Sequence, residues 1–494
     1  MKKIVLFSLC LIGLASRANN VSITNISAPS TTTVQFDIAW DNSWYTSSPP
    51  SNWDGVWVFV KAQVCPGTWN HANLSTVSSD HSVSGGVLQV DAVTDGKGVF
   101  IRRSAAGVGS ISTSTVVLKF SSAYVIANTN YDVIGIEVVN VPTGTFYVGD
   151  GGGSLYEFGA GCQSGSGFPW QMSGEGAIGA NCMNSGAMNI TGIPAALPKG
   201  YNGFYCMKYE ITQNQYATFL NLLDYASQVN RTANNPSSPM GTAALTSSPG
   251  LNRNSIEIKT PSVTATTYIR PAVYGNDLNN NNVYDESDDG GDVACNFLSW
   301  EDLKAYLDWS ALRPMTEFEF EKSARGILYP TSAEYPWSTT TINQAISNSL
   351  TNGGQSSEVS TSTSTGLCAY NAGSSTTLGP LRVGFAATAT STRPDAGASY
   401  YGIMDLGGNV WEQTIGFHQS VNPYIYTGTL GDGTLDSGGN ADASNWGSYI
   451  YTIVRGGNWE QTATYVKTSD RSNYNNQGAE NNLRVRRTGG RGVR

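Results

Sequence analysis

The sequence predicts an α+β, loop-rich protein in which an N-terminal β-sandwich precedes a larger domain with few regular elements. Three observations lead there. Over the first 136 residues, apolar and polar residues alternate in short runs, the period-2 signature of strands with one buried face. Charged residues make up 13% of the chain, about half the usual share, and Ser, Thr, Asn and Gly take their place. Helical spacing recurs only in short segments of the second part. Apolar residues, at 40%, suffice for a core. The low charge excludes a chain disordered by self-repulsion and a coiled coil. The net charge of −9 carries no basic footprint for nucleic acid.

Met1-Lys2-Lys3 and the mostly apolar run Ile4 to Ala15 read as a secretory signal over residues 1–18, with Ser16-Arg17-Ala18 as a small-x-small cleavage site. The run is shorter than the about 20 residues a membrane span needs, and no later segment is apolar enough to cross. Leu9 before Cys10 argues against a lipid anchor. Export favours disulfides among Cys65, Cys162, Cys182, Cys206, Cys295 and Cys368. Their spacings fit no CxxC zinc pattern. The expectation is one to three bridges, with Cys162–Cys182 the first candidate.

Residues 19–136 form the expected sandwich. Val34, Phe36, Ile38 and Trp40 alternate on one strand, and Trp57, Phe59 and Lys61 on a second. Val116 to Phe120 and Tyr131 to Val139 suggest others. Short strands with turn signals between them favour a sandwich. Residues 137–494 form the second domain. Val141 to Gly149 reads as one strand entering a Gly-rich loop, and Phe204 to Glu210 as another strand. Thr212 to Leu223 places Tyr216, Phe219, Leu220 and Leu223 at helical spacing, and Trp300 to Trp309 does so with Leu303, Tyr306 and Leu307. Thr316 to Arg325 is a third helix, with Thr316 as N-cap and Glu319 completing a capping box. Residues 228–265 and 338–380 read as polar, irregular loop.

Five segments, in order, resemble the formylglycine-generating-enzyme (sulfatase-modifying-factor) domain. They are Val141–Gly149 (VPTGTFYVG), Phe204–Asn221 (FYCMKYEITQNQYATFLN), Leu312–Gly326 (LRPMTEFEFEKSARG), Tyr401–Thr414 (YGIMDLGGNVWEQT) and Val454–Trp459 (VRGGNW). The resemblance implies a loop-rich variant of the C-type-lectin fold. The family closes with a Gly-Phe-Arg-like strand, a place for which Asn482–Arg487 and Gly492–Arg494 both compete. Gly407 and Gly408 are read as a tight turn needing positive φ, and Trp411 as a buried ring. Arg313 and Arg325 flank a helix bearing Glu317, Glu319 and Glu321, which suits internal ion pairs.

The resemblance also says what to look for as chemistry. Relatives that oxidise a substrate cysteine place two cysteines just after the Arg-Gly-Gly strand, where soft thiolates hold copper. Here Gly456 to Val466 contains no cysteine, and Gln461 and Val466 stand nearest those positions. A second branch uses iron on three histidines. This chain has only His71, His81 and His418, the first two in the N-terminal part. No catalytic residue is therefore assigned.

Calcium is the expected cofactor, in a structural role. Asp277, Asn279, Asn281, Asp285 and Asp288 place oxygen side chains at positions 1, 3, 5, 9 and 12 of a calcium-type loop, with Val283 at 7. Asn282 replaces the usual Gly at 6, and Asp288 the usual Glu at 12. A solvated acidic loop is the alternative. By the resemblance, Asn409 and Glu412 match oxygen donors of a second calcium site, with hydrogen bonding inside the core as the alternative.

Residues 441–494 carry Lys467 and seven arginines, Arg455, Arg471, Arg484, Arg486, Arg487, Arg491 and Arg494, against four acids. They suggest a basic surface near the polar stretch Glu460–Asn482, where Tyr and Asn suit ligand contacts. Internal bracing is the alternative, favoured for Arg484 and Arg486. These features lead to the expectation of a secreted or cell-surface, non-catalytic binding or structural protein. It would serve adhesion or assembly of an extracellular structure such as a filament. Its partners would be copies of itself or an extracellular protein or glycan, with no nucleic acid and no transmembrane segment. A periplasmic location is also compatible. The alternative function is a metal-dependent oxidoreductase of the sulfatase-modifying-factor type.

Overall fold

The computed structural model describes residues 17–18 and 21–494, apart from 66, 164–166, 186–187, 266–268, 389–390, 418–422 and 475–479. The expected signal segment, except Arg17 and Ala18, lies outside the described residues, as does His418. Arg17 and Ala18 pair with Ser22 and Val21. The protein is mostly β with few helices. No described helix is long and apolar enough to cross a membrane.

Two sheets build the N-terminal part. The first takes strands in the order Arg17–Ala18, Val21–Ser30, Thr33–Tyr45, Gly107–Lys119 and Ser82–Val83. The second runs from Leu88–Ala92 through Val99–Arg103 and Asp54–Val64 to Thr129–Val141. Val34, Phe36 and Ile38 of the first sheet share one core with Val56, Val58 and Val60 of the second. The expectation of one buried face per strand fails for Asp54–Val64. Trp57 and Phe59 point the other way, into a second core with Phe219, Tyr306 and Trp309. Side chains alternate faces along a strand, so this strand is apolar at both parities because sheet covers one face and helices the other.

The second sheet does not stop at residue 136. Thr129–Val141 pairs with Asp54–Val64 on one edge and, at its C-terminal end, with Phe204–Met207 on the other. Phe204–Met207 then pairs with Gly492–Val493, which pairs with Arg313–Pro314. The boundary expected from the change in texture thus falls inside a strand that both parts share. Of the two segments expected to compete for the closing strand, Gly492–Val493 pairs in this sheet. Val141 to Gly149 is broken rather than continuous: one strand ends at Val141 and another spans Phe146–Val148, because Pro142 lacks the N–H a ladder needs.

Four α-helices are described: α1 (Gln213–Asn221), α2 (Tyr225–Arg231), α3 (Trp300–Trp309) and α4 (Glu317–Arg325). Thr212, Ser299 and Thr316 each accept from the backbone N–H three residues on, and each closes a capping box. Helix α2, unforeseen, starts from Asp224, whose carboxylate accepts from Ser227 N at 2.8 Å.

The acids of α4 lie in the centre of the second part. Glu317 accepts from Arg455 at 2.9 Å and from Arg471 Nε at 2.5 Å. Glu321 bridges Arg455 and Arg325 at 2.8 and 3.1 Å. Glu319 receives Arg313 on both oxygens, at 2.6 and 2.9 Å. The expected ion pairs are present, with two further partners from the C-terminal segment. Buried charges are tolerated when paired and hydrogen-bonded in this way.

Candidate functional site

The acidic turn follows the Val273–Asn276 strand, which pairs with Ile256–Thr260. Its residues divide their roles. Asp277 is buried and accepts from Asn281 N at 3.0 Å and Asn282 N at 2.8 Å. Asn281 Oδ1 accepts from Val283 N at 2.6 Å. Asn282 adopts a φ of 64°, so Asn does the work of the usual Gly. Asp285 faces away, accepting from Asn276 N at 2.9 Å and pairing with Lys259 at 2.8 Å. Asn279 donates to Asp288 at 3.2 Å. The five loop residues therefore do not all turn their oxygens to one point. Asp288 instead joins Glu286 and Asp289 in a group whose ligand oxygens lie within 4.8 Å of one another.

Glu257 was not singled out in the sequence. Glu257 falls within 228–265, read as polar, irregular loop, but lies on the Ile256–Thr260 strand. It is buried instead, with 0% exposure, and neither carboxylate oxygen has a partner. Burial, reinforced by Asp277 and Asp289, pushes Glu257 up to about 8.

The pair at the GNVWE turn has other partners. Asn409 donates to Glu210 at 2.6 Å and accepts from Leu381 N at 2.8 Å. Glu412 is held by Arg491 at 2.5 Å. Both residues thus hydrogen-bond within the core, with Glu412 Oε2 left without a partner. In the turn, Gly408 has φ 81° and Asn409 φ 59°. Gly407 does not need positive φ; a Cβ there would lie 3.0 Å from Val466 and 3.2 Å from Pro336. Trp411 is buried as expected.

The described histidines serve the backbone. His71 bonds to Lys97 O at 2.7 Å through Nε2, and His81 to Ser75 O at 2.9 Å. Cys162 and Cys182 form a disulfide. Cys65 is free and exposed, whereas Cys206, Cys295 and Cys368 are free and buried. A third acidic group, Asp308 with Asp432 and Asp442, is self-satisfied: Asp308 accepts three backbone N–H groups at 2.8 to 3.0 Å.

The C-terminal arginines do not make a free basic surface. Arg455, Arg471 and Arg491 are fully buried. Arg484 pairs with Asp302, Arg486 with Glu460, Arg487 with Glu480 and Arg494 with Asp95. Beside Arg484, a cleft of about 640 Å³ is lined by Asn234, Leu251, Phe297, Glu301 and Leu483.

The family model of the sulfatase-modifying factor enzyme 1-like domain matches residues 136–488. The chain belongs to that family. No curated protein matches it. Among solved structures it is similar to Treponema denticola variable protein 1, at 13% identity and a TM-score of 0.31, over 73% of this chain and 95% of that one. In this sulfatase-modifying factor domain, the segment after the Arg455 strand holds Gln461 and Val466. Gln461 accepts from Asn458 at 2.7 Å and its carbonyl accepts from Asn371 N at 2.8 Å. Val466 packs with Tyr335, Trp337 and Cys368.

Proposed function

We propose that this chain is a secreted or cell-surface, non-catalytic member of the sulfatase-modifying factor family. In this reading a β-sandwich is joined to a C-type-lectin-like domain. The protein binds an extracellular protein or glycan, or assembles with copies of itself, in adhesion or in building a structure such as a filament. The observation that carries the reading is Val466. It stands nearest one position where redox members keep a cysteine, and it is buried under Tyr335, Trp337 and Cys368. A packed methyl group offers no electron pair to a metal. The cleft beside Arg484 is the binding face we favour, because it combines apolar Leu251 and Phe297 with convergent polar side chains.

Anaerobic copper(I) titration of the purified chain, with a cysteine-containing peptide as substrate, tests the non-catalytic part. Unchanged peptide is the expected result, and turnover with stoichiometric copper or iron in the protein overturns it. Antibody labelling of intact cells tests the location; labelling only after lysis overturns a surface position.

A further inference from the structure

Two cavities meet where the N-terminal sheet faces α1. The inner one, of about 230 Å³, is lined by Trp69, Asp132, Ala217, Thr218, Leu222 and Tyr274, among others. The outer one, of about 780 Å³, shares Trp69 and Asn221 with it. Leu223, Tyr225, Ile269 and Pro271 make much of its wall, and Ile269 is exposed. The inner volume is below the about 300–1,000 Å³ of a small-molecule site, so it suits one side chain rather than a whole ligand. The outer trough has room for the chain on either side of it.

Asp132 sets the character of the inner pocket. Side chains alternate faces along a strand, so Asp132 shares a face with Ile134 and Ile136, which pack in the core with Phe219 and Leu220 of α1. An apolar residue would have continued that stripe; an acid stands there instead. Asp132 is opposite Lys61 in the ladder, but the Lys61 ammonium is taken by the carbonyls of Trp309 and Gly433, each at 2.7 Å. Burial pushes the Asp132 carboxyl up to about 6, opposed only by a hydrogen bond from the Val133 backbone. No cation among the described residues offsets the charge. The other acid of the lining, Asp285, is already paired with Lys259 at 2.8 Å, and the lining contains no Lys, Arg or His. Its remaining polar groups, on Asn214, Thr218, Asn221, Tyr131 and Tyr274, are uncharged at neutral pH. A desolvated carboxylate without a counter-ion is unfavourable, and a cation that enters relieves it.

We propose that this trough holds a segment of a partner protein by a lysine side chain, whose ammonium pairs with Asp132 beside Trp69 while the flanking residues lie on the outer wall. An aromatic ring next to the ammonium adds to the attraction. Lysine fits better than arginine, because an ammonium brings three donors and a guanidinium five. Asn221 is not free to accept the surplus: its side chain already bonds the backbone N and O of Tyr274 at 2.7 and 3.0 Å. None of these residues lines the cleft beside Arg484, so the inference stands or falls apart from the reading of that cleft.

Calorimetric titration of the full chain with a capped pentapeptide, a lysine between leucines at its centre, tests this. Saturable binding is expected, with the norleucine counterpart weaker by about tenfold or more, since it lacks the charge. Asp132→Asn should weaken the lysine peptide by about the same factor and leave the norleucine peptide unchanged. As pH drops from 7 to 5, Asp132 takes up its proton and the wild type should lose affinity for the lysine peptide. No binding of the lysine peptide, equal binding of the two peptides, or undiminished binding by Asp132→Asn overturns the proposal. So does a flat pH profile, or tighter binding of the arginine counterpart. Free cadaverine binding as tightly as the peptide would show the outer wall idle and overturn the partner segment. Should Asp132→Asn fail to fold, the comparison of lysine with norleucine on the wild type still decides the matter.

Discussion

Lys208 Nζ lies 2.8 Å from Glu137 Oε2, a buried ion pair joining the residue after the Phe204–Met207 strand to the neighbouring Thr129–Val141 strand of the sheet that both parts of the chain share. Asp54 Oδ2 completes it at 3.2 Å. Lys61, from the N-terminal part, likewise donates to the carbonyls of Trp309 and Gly433, each at 2.7 Å. These contacts join the two parts, so they are expected to unfold as one unit. Lys208→Ala leaves the buried Glu137 carboxylate without a partner and Asp54 with only Ser43 and the Trp44 N–H, and is expected to cost about 3–5 kcal/mol. Denaturant unfolding should show one transition, shifted to lower concentration. Two separate transitions in the wild type would mean that the parts fold independently.

The arginines of the C-terminal segment divide by burial. Arg455→Met takes one of two arginine partners from each of Glu317 and Glu321, leaving Arg471 and Arg325, and is expected to destabilise by about 3 kcal/mol. Arg486, 37% exposed at its side chain, should cost no more than about 1 kcal/mol when changed to Ala. Chemical denaturation of the two variants side by side measures the difference.

Stability should fall on acidification through His71. Burial holds its imidazole well below the ordinary value of 6.5, and the Lys61 ammonium adds to the effect. The folded chain therefore keeps His71 neutral where the unfolded chain binds a proton. Below pH 6.5 this group removes stability, by up to about 1.4 kcal/mol per pH unit. His71→Gln abolishes that component, so the stability gap between wild type and variant should narrow as pH drops from 7 to 5. A constant gap would contradict a neutral buried His71.

Thiol labelling should follow exposure. Among the described cysteines, Cys65 should react with iodoacetamide in the native protein. Cys206, which burial pushes up to about 12, should react only after denaturation, as should Cys295 and Cys368. Cys162 and Cys182 should require reduction first. Peptide mapping by mass spectrometry reads all six.

What was legible in the sequence depended on whether its signal was local. The start of α4 could be read because Thr316 carries its capping partner three residues on, and α1 because Tyr216, Phe219 and Leu220 keep helical spacing. Helix α2 was missed although Asp224 offered the same chemistry, since its body, Tyr225–Arg231, has no apolar stripe. The Cys162–Cys182 bridge was anticipated, and so were the acids of α4 as ion-pair partners. The identity of two of those partners, Arg455 and Arg471, was not. They come from more than a hundred residues away, and in composition they resemble a basic surface. The loop pattern at 277–288 located an acidic turn but not its geometry. Glu257 lies on another strand, Ile256–Thr260, in a stretch that reads as polar loop because its apolar residues are few and the partners that bury them are distant in sequence.

The Thr129–Val141 strand is zipped along one edge to Asp54–Val64 and, over its last four residues, along the other edge to Phe204–Met207. Tension on the N-terminal half would therefore reach the C-terminal half through ladders of backbone bonds loaded in shear, with no slack tether between them to take up the strain.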